Sequence, residues 1–150
     1  MNNINAQKRM EAIDYLFKQI DVGDARFEAQ LTYFLLVAVY GAAQYCIKTI
    51  FIDWINPAIK HDNLKKIENK IDKMIQTPSL SNIKDLLLIS NRTISLDTYS
   101  VYNRILNHRH LFAHGEKDPT KLEGVTMSDI KLAFSELKQL LEVVEKKLYE

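Results

Sequence analysis

The 150-residue chain predicts an all-α fold, an up-and-down bundle of five or six helices. Helix breakers are scarce, with four glycines and three prolines in the whole chain. No stretch alternates apolar and polar residues for long, as a half-buried strand would. Apolar side chains instead recur at three- and four-residue steps, which lines them up on one face of a helix. The length suits one domain, 1–150, with a core of its own. The composition is that of an ordinary soluble protein, 47% hydrophobic and 26% charged. A net charge of +1 offers no broad basic face, so any contact with nucleic acid would be local.

The first helix is expected over about 6–20, where Met10, Ile13, Leu16, Phe17 and Ile20 form its stripe. Asp21-Val22-Gly23 breaks it, and Asp24 is a candidate N-cap for the next helix, over about 25–55. Between Ala29 and Ile47 that helix carries no charged residue. By length alone such a run could span a membrane. Gln30, Thr32 and Gln44 interrupt it and no second span accompanies it, so the expectation is the central helix of a bundle, with no membrane partner. Asn56-Pro57 closes it, because a residue before proline avoids the helical region. The only cysteine, Cys46, lies in this apolar run and reads as a buried thiol; no disulfide can form within one chain. The N-terminal residues lack the pattern of a secretory signal. Together these point to the cytoplasm.

Over about 58–75 a narrow stripe of Ile59, Leu64, Ile67, Ile71, Met74 and Ile75 runs among lysines and acids, which reads as a solvated outer helix. His61 reads as surface. Thr77-Pro78 suggests a cap and a first-turn proline. Leu80, Ile83, Leu86, Leu87 and Ile89 then form a short helix, and 91–95 a turn. Another helix starts near Asp97, packs through Tyr99, Tyr102, Ile105, Leu106, Phe112 and Ala113, and stops at Gly115. A polar loop over 116–124 leads to the last helix, over about 126–148. Thr126 and Asp129 are spaced as a capping box there, and Ile130, Ala133, Phe134, Leu137, Leu140, Leu141, Val144 and Leu148 form the stripe.

Chemistry concentrates in one stretch, Asn107-His108-Arg109-His110-Leu111-Phe112-Ala113-His114-Gly115, which holds three of the four histidines. Histidine titrates near neutral pH, at about 6.5 when unperturbed. Arginine offers a fixed fork of donors that suits phosphate. His110 and His114 are four apart and share a helix face. Arg109 and His114 are five apart, roughly 140° around a regular helix. Both reach one phosphate only if the last turn loosens or a second copy of the motif faces the first. The helix C-terminus favours a protonated His114, and the nearby Arg109 opposes it.

Arg109, four intervening residues and His114, with polar His110 after the arginine and Ala113 and Gly115 around the histidine, resemble the motif of the HEPN superfamily. This form is similar to that of small prokaryotic HEPN proteins of defence and toxin–antitoxin loci. The resemblance extends to the architecture: a helical bundle, a long early apolar helix, the motif on a late helix and one closing helix. It implies a homodimeric, metal-independent endoribonuclease, a toxin or antiviral effector, with RNA as its substrate and an antitoxin or defence-system protein as a further partner. His114 would do acid–base work and Arg109 would hold the phosphate. His110, in the family's polar position, would orient or supplement them. Relatives often place polar or charged residues of the long helix facing the motif, so Lys48 and Gln44, an i, i+4 pair there, would with His108 stand on the substrate side; core or surface roles are the other reading of Lys48 and Gln44. Relatives controlled by a nucleotidyltransferase antitoxin typically carry Tyr two residues after the histidine; this chain has Glu116, which argues against that control.

Three alternatives stand beside this reading. The superfamily also includes non-catalytic binding or dimerisation modules. The histidines could simply solvate a helix end. His110 and His114 could bind zinc with His108 or Asp118. Neither a cysteine ligand nor a glutamate between the histidines supports the last, so no metal and no cofactor is expected.

Overall fold

The computed structural model of the chain describes residues 1–20, 27–58, 61–95, 97–113 and 124–150. These form six α-helices and no strand: α1 (Ile4–Ile20), α2 (Glu28–Ile55), α3 (His61–Met74), α4 (Leu80–Ile89), α5 (Ser100–Ala113) and α6 (Met127–Tyr149). Short 3-10 turns follow α2 and precede α5, at Asn56–Ala58 and Asp97–Tyr99. The result is the all-α bundle that the helical periodicity predicts.

α2 is its axis. Leu35, Leu36, Val39, Ala43, Cys46 and Ile47 are all fully buried, and α2 packs against α1, α3, α5 and α6. Length and composition would let α2 cross a membrane. In this fold its buried positions supply the centre of the core instead. Burial pushes the Cys46 thiol up to about 12 despite the nearby Arg9 charge. The stripe of α6 is buried at every position expected of it, and Phe134 stacks on Phe17 of α1 with ring centroids 5.1 Å apart.

Polar groups then fix the ends. Asn3 caps α1, its Oδ1 accepting from the Ala6 N–H at 2.9 Å, and its amide reaches Asp53 on α2. Glu145 of α6, a carboxylate only 6% exposed, accepts from the N–H groups of Asn2 and Asn3. Three separate elements are thereby tied at one end of the bundle. Lys138 of α6 pairs with Asp14 of α1 at 2.6 Å. At the other end of α6 the capping box is complete: the Asp129 N–H donates to the Thr126 hydroxyl, and the Thr126 N–H to the Asp129 carboxylate.

Two boundaries differ from the sequence expectation. The cap of α4 is Ser79, not Thr77, and Pro78 lies before the cap rather than in the first turn. The Ser79 hydroxyl accepts from the Asn82 N–H, while α5 takes hold of the flanking backbone: Tyr102 donates to the Pro78 carbonyl and Asn103 accepts from the Leu80 N–H. α4 buries Leu80, Ile83, Leu86 and Leu87 and leaves Ile89 71% exposed, because Ile89 falls on the opposite side of the helix from Leu80. Asn91 turns left-handed at φ 60°. The Asn91 and Arg92 N–H groups return to the carbonyls of Leu88 and Leu87, a Schellman closure. The expected Asp24 cap and the Gly115 stop lie outside the described residues, as does 116–123 of the polar loop and the His61 side chain.

Candidate functional site

The site is built where α5 crosses the middle of α2. α5 starts on a brace: the Tyr102 N–H donates to Glu136 of α6. Tyr102, Ile105 and Leu106 are buried behind it. That registration brings Arg109, three and four residues beyond Leu106 and Ile105, to the surface of α2. Its guanidinium carbon lies 5.5 Å from the centre of the Tyr40 ring, within cation–π range. The Arg109 Nε is buried and has no hydrogen-bond partner among the described residues. A buried guanidinium N–H without an acceptor is costly.

Tyr40 in turn is fixed from beneath, its hydroxyl donating to the Gln76 carbonyl at 2.6 Å. Gln44, one turn along α2, donates to the same carbonyl at 2.6 Å and to that of Ile75 at 3.3 Å. Those carbonyls directly follow α3, so Tyr40 and Gln44 anchor the backbone leaving that helix to α2. Lys48, a further turn along, pairs with Asp72 of α3 at 3.0 Å. The pair is half-exposed, so its contribution to stability is small. Tyr40, Gln44 and Lys48 thus follow at four-residue steps along one face, spanning about 12 Å.

Comparison of the chain with models of known families, with curated proteins and with solved structures finds no match.

The sequence-predicted residues therefore divide. Arg109 and Gln44 are linked through Tyr40 and the Gln76 carbonyl, while Lys48, one turn further along α2, pairs with Asp72 instead. Gln44 chiefly holds the backbone that follows α3. His108 is half-buried and engaged by a neighbour. His110 has its backbone in α5, and its side chain lies outside the described residues. His114 directly follows the last residue of α5 and also lies outside them. Among the described residues no group of three histidine, cysteine or carboxylate side chains is placed to hold a metal ion. The zinc alternative needs His110 and His114, which that statement does not cover.

Sequence reasoning missed Tyr40. The signal was present: Tyr40 precedes Gln44 and Lys48 by one and two turns. It was hidden because α2 is apolar nearly all round, so no polar stripe announces its open face. A cavity of about 470 Å³ lies elsewhere, at the end of α6, lined by Glu142, Glu145, Lys146, Tyr149 and Glu150 together with Met1 and Asn2. Its three carboxylates outnumber the one lysine side chain, which makes it a poorer seat for a phosphate than the Arg109 face.

Proposed function

We propose that the protein is a metal-independent endoribonuclease of HEPN type, acting in defence or as a toxin. The observation that carries this reading is Arg109. It heads an Arg-x4-His motif in a helical bundle, and its guanidinium sits over Tyr40 with a buried N–H that has no partner among the described residues. A guanidinium so held suits a phosphate, on which charge develops during cleavage. The reaction would run by attack of the RNA 2′-oxygen on the adjacent phosphorus. The 2′ proton passes to a base, the P–O5′ bond breaks, and the departing O5′ takes a proton from an acid. The products are a 2′,3′-cyclic phosphate and a 5′-hydroxyl, with no redox change and no water consumed.

His114 is assigned the proton transfers, with His110 orienting or supplementing it and His108 on the substrate side. One motif supplies one arginine and one principal histidine. A two-fold homodimer would bring a second set to the same cleft, since an isologous interface apposes like surfaces. The test is cleavage of labelled RNA by purified protein in excess EDTA. Wild type is expected to cut, and Arg109→Ala and His114→Ala to lose at least about a hundredfold in rate. Failure of the folded wild type on several RNAs would leave a non-catalytic binding module as the better reading.

A further inference from the structure

Between α2 and the end of α3 lies an open groove of about 410 Å³, lined by Gly41, Gln44, Tyr45, Lys48, Asp72 and Lys73 among others; Tyr40, under Arg109, adjoins it through its hydrogen bond to the Gln76 carbonyl. One arginine–tyrosine pair contributes its ring to the groove's lining and another adjoins it. Arg109 lies over Tyr40, and Arg9 of α1 lies 4.4 Å from the centre of the Tyr45 ring. Between the two tyrosines stands Gly41, in the middle of a 28-residue helix. A glycine there weakens the helix. Packing does not require it, because a methyl group added at Gly41 would meet no atom within 4 Å. Gly41 leaves the floor of the groove bare where any larger side chain would fill it.

The chemistry of the walls identifies an occupant. Lys48 and Lys73 are cations, Tyr45 is an aromatic ring held by Arg9, and Asp72 is the one acid among the groove residues just named. Backbone-tracking cations beside an aromatic platform suit single-stranded nucleic acid. A double helix would need a wider basic face than a net charge of +1 supplies. We infer that single-stranded RNA lies in this groove, running from Arg109 along α2 to Lys48, with its phosphates on Lys48 and Lys73 and a base against Tyr45. This rests on the ribonuclease reading for the nature of the nucleic acid, and adds the path that the strand takes beyond the reacting phosphate. Asp72 then acts as a gate on affinity, since it holds Lys48 until a phosphate competes.

The experiment measures binding apart from cleavage. A fluorescein-labelled single-stranded 12-nucleotide RNA is titrated into the His114→Ala protein, followed by anisotropy at several salt concentrations. The same is done with Gly41→Leu, Lys48→Gln or Asp72→Asn added. Gly41→Leu is expected to melt no lower than its parent, leucine being the better helix former, yet to bind RNA at least about tenfold more weakly by filling the floor. Lys48→Gln should weaken binding and flatten the salt dependence by about 0.7 in log–log slope. Asp72→Asn should tighten binding, an effect opposite to that of breaking a merely structural ion pair. Three silent variants on a parent that binds RNA would overturn the proposal while leaving the ribonuclease reading intact, as would a parent without affinity beside a wild type that cleaves. Binding altered as expected beside a wild type that never cleaves would keep the groove and sink the ribonuclease. Sedimentation velocity covers the remaining case: a Gly41→Leu change that only splits a dimer, with the other two variants silent, would assign this face to a second copy of the chain and overturn the proposal.

Discussion

Arg109 carries opposing contributions to stability. Its buried Nε has no acceptor among the described residues, a cost of about 1–3 kcal/mol. The contact with Tyr40 returns about 0.5–2 kcal/mol. Arg109→Met keeps an unbranched side chain of similar reach and removes both effects. It is expected to change stability by less than about 1 kcal/mol in a urea titration, while abolishing cleavage. A loss of several kcal/mol would make Arg109 a structural keystone instead. The arginine was legible in the sequence because its neighbours, the histidines and Gly115, have few other reasons to cluster. Glu145 was not legible. It lies between Val144 and Lys146, and sequence reads it as one more solvated charge. Only the fold brings the Asn2 and Asn3 N–H groups to it across 142 residues and more.

Helices were legible to the extent that their signals are local. The Thr126–Asp129 box depends on two residues three apart, and it formed as its spacing predicts. The start of α4 depends on what α5 does to Pro78 and Leu80, which no local pattern encodes. The open face of α2 was hidden by the same apolar run that identified the helix. The capping box also makes a prediction about acid. Burial would raise the Asp129 carboxyl, yet hydrogen bonds from Thr126 and the Arg104 guanidinium together hold it below the usual carboxylate value. A carboxyl lowered on folding stabilises the fold above its unfolded pKa, about 3.9, and loses that contribution as pH falls through the folded value. Asp129→Asn should therefore melt lower than wild type at pH 7, and the gap should close as pH drops below about 4. A gap that stayed constant with pH would mean that the carboxylate's charge is not what matters.

At the scale of the molecule, one helix organises both stability and the site. α2 gives its buried residues to α1, α5 and α6, and gives Tyr40, Gln44 and Lys48 to Arg109, to α3 and to the backbone that follows it. The bundle was readable from apolar periodicity, which reports burial averaged over many turns. How α5 crosses α2 was not readable, since crossing depends on the shapes of Tyr102, Ile105 and Leu106 against their neighbours. From that crossing comes the central claim, an arginine set on an aromatic ring beside a cationic groove to cleave RNA without a metal. The most direct test is the chemistry of the cut ends. A short RNA of defined sequence is incubated with the wild-type protein in excess EDTA, and the fragments are weighed by mass spectrometry. The account predicts 5′ fragments ending in a 2′,3′-cyclic phosphate, paired with 3′ fragments that begin with a 5′-hydroxyl. Fragments ending in a 3′-hydroxyl and beginning with a 5′-phosphate would contradict it, because water rather than the 2′-oxygen would then have attacked the phosphorus.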